Sequence, residues 1–263
     1  MRTTAIFSYK GGTGKTTTAI NLAAELAAHG KRVILIDADG QRNTSDFFNV
    51  DTENAATLYE LLTGSEPYYE NLLQYQLGDI PKMMDIAVLP SSAKLATVEL
   101  ERTMGEATSL HLGAIRDLCE AVAEDDAADF VLIDCPPSFA PQTVAALIAA
   151  DDVIVPVTPD SWSVSGLRDV GISIQGARKS NHRLRIAGVL MTKVDISAIA
   201  RDAEAGLRQS GYPVFKTTIR QSVWPSKTSY EHKPLRVCAY WTAIFRDYKA
   251  LCEEYLRGGA GNG

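Results

Sequence analysis

The residues with the clearest chemical capacity are Lys10, Gly11, Gly12, Thr13, Gly14, Lys15, Thr16 and Thr17, consecutive in the chain. An apolar β-like run at 4–7 precedes them and a helix-like run at 16–26 follows, the setting a phosphate-binding loop needs. Glycines let the backbone fold back so that several N–H groups converge on one anion. The helix behind adds its positive end to the same point. Lys15 supplies a mobile charge for terminal phosphates, and the Thr16 hydroxyl suits a magnesium ion whose other ligands are water and phosphate oxygens. This chemistry is that of a nucleoside triphosphate site.

Carboxylates with matching chemistry stand at the ends of two apolar runs. Residues 33–36 lead into Asp37 and Asp39, and residues 130–133 lead into Asp134. Continuous apolar runs fit strands covered on both faces of a parallel sheet, where ligands gather at the carboxyl ends of the strands. Asp134 is placed to hold magnesium on the Thr16 side. Asp37 carries two readings, a magnesium-shell ligand or a turn and helix-capping residue.

The ordinary phosphate-loop pattern requires a glycine where Tyr9 stands, and beside it is a second lysine, Lys10. The string Lys-Gly-Gly-Thr-Gly-Lys-Thr resembles the deviant Walker A box of the ParA/MinD family of P-loop ATPases, as does Asp134-Cys135-Pro136-Pro137-Ser138. The resemblance is strongest to the ParA (Soj) type. It covers nearly the full length, but its specific motifs are confined to residues 8–18, 36–41 and 130–138.

It implies ATP bound at Lys10 to Thr17 with Mg²⁺ on Thr16 and Asp134. It further implies an ATP-dependent homodimer in which Lys10 touches the phosphates of the other subunit. Asp39 would position the attacking water, making Lys10, Lys15 and Asp39 the catalytic set, and Thr192 and Lys193 are candidate contacts to the adenine. Non-specific DNA binding and a ParB-like partner that stimulates hydrolysis belong to the same expectation. Where the family has Asp-x-Asp-Pro-Gln, this chain reads Asp37-Ala38-Asp39-Gly40-Gln41, and a glycine there removes a fixed φ from the switch.

The elements needed to position these groups are legible as an alternation of strands and helices. The expected fold is α/β, a mostly parallel twisted sheet with helices on both faces. Residues 1–257 read as a single domain and 258–263 as a frayed glycine-rich tail. Helices are expected near 110–122, 165–175, 198–209 and 241–256, and a last strand at 213–215. Tyr68, Tyr69 and Tyr75 are core aromatics or partner contacts.

Composition bounds the rest. The chain has 263 residues, 46% hydrophobic and 22% charged, with a net charge of −6, so it does not coat nucleic acid over its whole surface. Two basic clusters oppose that balance: Arg178, Lys179, Arg183 and Arg185, then Lys216, Arg220, Lys227, Lys233 and Arg236. They form either a footprint for DNA phosphates or solvated surface. The four cysteines are widely spaced and include no C-x-x-C pair, so neither a zinc site nor a disulfide framework is suggested and a reducing cytoplasm fits. The nitrogenase iron protein belongs to the same broad group, but the glycine-rich loops that carry its cluster cysteines are not found here, so the resemblance implies a packed thiol at Cys135. No leader and no apolar run of membrane length is visible, so a cytoplasmic, nucleoid-associated protein without membrane contact is expected. The mixed polar face of the C-terminal helix argues against the MinD-like, membrane-associated alternative. An ATP-gated module that merely positions cargo is the other alternative.

Overall fold

The computed structural model describes residues 1–50, 52, 56–64, 86–98, 109–160 and 164–260. Tyr68, Tyr69 and Tyr75 lie outside them. Six strands form one all-parallel sheet: β1 (Arg2–Ile6), β2 (Val33–Asp37), β3 (Ile86–Leu89), β4 (Phe130–Asp134), β5 (Asp152–Val157) and β6 (Arg185–Met191). Their order is β3-β2-β4-β1-β5-β6. Every residue of β2, β4 and β5 is buried, the signature of strands sandwiched between two helical layers.

The helices described over their whole length are α1 (Lys15–Ala28), α2 (Asn43–Phe47), α3 (Leu58–Thr63), α4 (Ala114–Glu124), α5 (Pro141–Ala149), α6 (Val164–Ala177), α7 (Ala198–Arg208), α8 (Trp224–Glu231), α9 (Leu235–Cys238) and α10 (Ala243–Leu256), and residues 94–98 are helical as well. Two apolar clusters cover the sheet. One brings together Leu58, Ile115, Leu118, Leu147 and Leu167; the other joins Ile20, Leu22 and Leu26 of α1 to Tyr248, Leu251 and Tyr255 of α10. The apolar face of α10 is therefore part of the core. No described helix is long and apolar enough to cross a membrane.

Register positions the chemistry. Ile6 pairs with Asp134 across β1 and β4, and Asp37 pairs with the same Asp134 across β2 and β4. The loop after β1 and both strand-end carboxylates consequently share one edge. β1 has β4 on one side and β5 on the other, so connections diverge there and leave a crevice.

Two expectations are corrected. Residues 213–215 form no strand; only a bridge between Val189 and Val214 remains. Residues 258–260 are not frayed: the Ala260 amide donates to the Ala187 carbonyl at 2.8 Å, and Gly259, at φ 80°, sits so close that a Cβ there would meet that same oxygen at 2.7 Å. Gly188 supplies the other half of this fit, because a side chain on it would collide with Phe215 and Ala260. Glycines on both segments are what dock the tail onto β6.

Candidate functional site

The loop after β1 turns through Gly12 (φ 73°) and Gly14 (φ 85°), left-handed conformations that suit residues without a Cβ. Its shape is pinned from outside. The Ser8 hydroxyl bonds the Thr13 hydroxyl at 2.8 Å, and the Thr192 hydroxyl donates to the Thr13 carbonyl at 2.7 Å and the Val157 carbonyl at 3.1 Å. Tyr9, at the position where the ordinary motif has glycine, ties the loop to α6 through a 2.6 Å bond to Ser173.

Lys15 is buried, and its ammonium donates to the Lys10 carbonyl at 3.1 Å. Burial pushes its pKa down while Asp134 and Asp39 partly restore it. A desolvated ammonium held by one carbonyl is poised to exchange that contact for phosphate oxygens. The Lys10 side chain, by contrast, is exposed. Both Lys10 and Lys193 lie near Asp160, whose carboxyl is held below its usual range first by Thr158 and then by these lysines. The Lys193 ammonium lies 4.0 Å from where a Cβ on Gly12 would be, over the loop itself. The Thr192 hydroxyl thus holds the loop's backbone, and Thr192 and Lys193, the expected adenine contacts, both line the cavity beside that loop.

Asp134 is completely enclosed. One carboxylate oxygen accepts from Thr16 at 2.7 Å and from Thr44 at 2.9 Å; the other is buried without a hydrogen-bond partner among the described residues. An orphaned buried carboxylate oxygen beside a phosphate-loop threonine fits a magnesium ion or its bound water, so the residues present suit that ion. Burial raises the pKa of Asp134.

Asp37 has a different occupation. Its oxygens accept the Asp39 amide at 3.1 Å, the Ser45 amide at 2.8 Å and the Ser45 hydroxyl at 2.7 Å. Ser45 lies in the first turn of α2, the helix that follows β2, so the Asp37 carboxylate at the end of β2 meets the start of the next element. Burial, and after it the neighbouring Asp134, raise its pKa.

Asp39 lies further out on the cavity wall. Among the described residues its carboxylate accepts the Gln41 amide at 3.0 Å and no other donor, while its carbonyl is held by Ser91 at 2.7 Å. Gly40 has a packing role: a Cβ there would approach the Ala96 amide to 3.3 Å. Cys135 is buried and its thiol pKa is pushed up by that burial, consistent with a packed, unreactive side chain.

Part of this set lines a cavity of about 580 Å³, whose wall includes Gly12, Lys15, Thr16, Asp39 and Lys193 together with Pro225 and Ser226 of α8. That volume is in the range of a nucleotide-sized ligand. Sequence reasoning missed Thr44, Ser45 and Ser91, which connect the two buried carboxylates to the switch. The signal available was the run Asn43-Thr44-Ser45, side chains that favour helix starts, soon after Asp39.

The basic clusters are smaller than their sequence suggests. Arg185 pairs with the fully buried Asp152 at 2.7 Å, Arg220 with Asp247 at 2.7 Å, and Arg236 with the buried Glu25 at 2.6 Å. Arg178 donates to the Leu184 carbonyl at 2.7 Å. All four guanidiniums have partners within the chain, while Arg185 and Arg220 keep more than half of their side chains exposed.

Comparison with known proteins agrees with this geometry. The AAA domain family profile matches residues 1–186. The chromosome partitioning protein ParA of Caulobacter vibrioides is 36% identical over 97% of this chain and 94% of its own length. The chromosome-partitioning ATPase Soj of Thermus thermophilus is 37% identical over 97% and 96%. Among solved structures, cobyrinic acid a,c-diamide synthase of Mycobacterium smegmatis with bound ATP analogue and magnesium superposes with a TM-score of 0.76 at 26% identity, covering 98% of this chain and 95% of that one. With the phosphate loop, the paired strand-end aspartates and the all-parallel sheet in place, the chain belongs to the ParA/Soj family of chromosome-partitioning P-loop ATPases.

Proposed function

We propose that this protein binds and hydrolyses ATP with magnesium, and that the ATP-bound form is a homodimer that holds DNA non-specifically to move a plasmid, chromosome or other cargo. The single observation that carries the reading is the buried Asp134 oxygen without a partner among the described residues, on the carboxylate whose other oxygen accepts from Thr16 of a loop with a desolvated lysine.

In the proposed mechanism Lys10, Gly11, Gly12, Thr13, Gly14, Lys15, Thr16 and Thr17 hold the phosphates, with Lys193 adding charge at the same loop. Magnesium on Thr16 and Asp134 would neutralise charge developing on the phosphates. Asp39 orients the attacking water, its carboxylate lightly held and on the cavity wall. Asp37 holds α2, and with it Thr44, against Asp134. Lys10 is exposed on the loop and free to reach a second subunit's phosphates. Turnover by one chain is slow, and a ParB-like partner accelerates it. The setting is cytoplasmic and nucleoid-associated.

The test is retention on duplex DNA with ATP, ADP or no nucleotide at several salt concentrations, beside steady-state phosphate release. Retention that requires ATP and falls steeply with salt supports the reading; retention indifferent to nucleotide contradicts it. The lipid-surface alternative has little to stand on, because the apolar face of α10 is used in the core. Sedimentation with anionic vesicles in ATP would revive it.

A further inference from the structure

Around the start of α8 and the turn before α10, three aromatic side chains meet at the surface. Trp224 and Trp241 have ring centroids 5.7 Å apart at 90°, and Tyr240 and Trp241 5.1 Å apart at 84°. Tyr240 is 63% exposed and Trp241 57%. Edge-to-face contacts of this kind tie the rings together by setting one ring's edge on the other's face; Trp224 is half-buried, and the open ring surface is that of Tyr240 and Trp241.

Two cations accompany them. The Lys227 ammonium lies 4.8 Å from the centre of the Trp224 ring, and the Arg246 guanidinium donates to the Trp241 carbonyl at 3.5 Å. Neither makes an ion pair with a carboxylate among the described residues. In a chain of net charge −6, one cation over an aromatic ring and a second on the neighbouring backbone, neither paired with a carboxylate among the described residues, suit a ligand that is both anionic and flat.

We propose that Trp224, Tyr240 and Trp241, with Lys227 and Arg246, form a stacking platform for the unpaired bases of single-stranded nucleic acid. Base stacking on aromatic side chains beside a positive groove is the general mode of such binding. A duplex fits poorly, because its base faces are already stacked on one another. Trp, Tyr and Arg are also enriched where proteins meet, so an interface between copies is the outcome the experiment must separate. The proposal does not rest on ATP-dependent duplex retention, which uses phosphate contacts alone.

The experiment titrates the protein with a fluorescein-labelled oligo(dT) 20-mer and with a duplex of equal length, with and without ATP, following tryptophan emission and label anisotropy. The expected result is quenching by oligo(dT) and not by duplex, with Trp241→Ala weakening oligo(dT) binding roughly 5- to 150-fold, the loss of one stacked base. Duplex retention and ATP affinity are expected to be unchanged in that variant. Lys227→Ala lowers the salt slope for oligo(dT) by about 0.7, one phosphate contact. Tyr240→Ala gives an independent variant should Trp241→Ala fail to fold. Oligo(dT) binding that is no tighter than duplex binding, or is untouched by all three changes, overturns the proposal. So does a Trp241→Ala protein whose only change is a smaller sedimenting mass, which would identify the patch as an interface between copies. Loss of ATP-gated duplex retention with intact oligo(dT) quenching would instead count against the partitioning reading and for this one.

Discussion

Replacing Asp37 and Asp39 in turn by alanine separates a structural carboxylate from a functional one two residues away. In Asp37→Ala the buried Ser45 amide and hydroxyl, now at 2.8 and 2.7 Å from the carboxylate, both lose their acceptor, and the Asp39 amide loses a third contact. Each orphaned buried donor costs roughly 1–3 kcal/mol. Part of that is offset because the change also removes a buried charge from beside Asp134, the interaction that helps raise Asp37's pKa. The net destabilisation is about 2–4 kcal/mol, equivalent to a melting temperature lower by about 5–15 °C for a chain of this size. Asp39 accepts a single amide at the cavity wall, so Asp39→Ala shifts stability by less than about 1 kcal/mol. It should bind ATP, dimerise and stay on DNA while phosphate release is lost. Thermal melts with parallel ATP titration and phosphate-release assays read both. The reasoning is refuted if Asp37→Ala melts with the wild type yet loses magnesium-dependent nucleotide binding, or if Asp39→Ala hydrolyses ATP at the normal rate.

Other outcomes follow from the same contacts. Lys15→Ala removes the buried ammonium from the loop and should abolish ATP binding in calorimetric titration, with the fold intact by circular dichroism. Thr192→Val deletes the hydroxyl that pins the Thr13 and Val157 carbonyls; ATP affinity should fall several-fold, and Thr192→Ser should restore it. Gly188→Ala places a Cβ 2.6 Å from the Phe215 ring and 2.8 Å from Ala260, an overpacking expected to cost about 1–3 kcal/mol in urea unfolding. Burial raises the pKa of all four thiols, but Cys119, Cys135 and Cys252 are buried and Cys238 is half-buried, so maleimide at neutral pH should label only Cys238 in the native protein, slowly, and all four cysteines in denaturant.

The phosphate loop and the three strand-end aspartates were legible because each follows a short apolar run, and such runs identify buried parallel strands without reference to the rest of the chain. The register was not legible: that Ile6, Asp37 and Asp134 align depends on β4 lying between β1 and β2, a pairing of segments far apart in sequence. The same distance explains the basic clusters. Arg236 finds Glu25 and Arg185 finds Asp152 only after folding, so a charge count overstates what remains for a partner. The docking of residues 258–260 was hidden because glycines that read as flexible in isolation are also the residues that allow close backbone approach, as at Gly188 and Gly259. The strand at 213–215 shrank to a bridge at Val214, although its apolar pattern was sound.

The central claim is that two copies close over bound ATP, with Lys10 of each reaching the other. Light scattering of the purified protein saturated with a non-hydrolysable ATP analogue and magnesium measures this directly. The account predicts a mass of twice the 28.5 kDa chain for the wild type, and the monomer mass for Lys10→Ala with nucleotide still bound. A saturated wild type that stays at 28.5 kDa, or a Lys10→Ala variant that dimerises as readily, would contradict it.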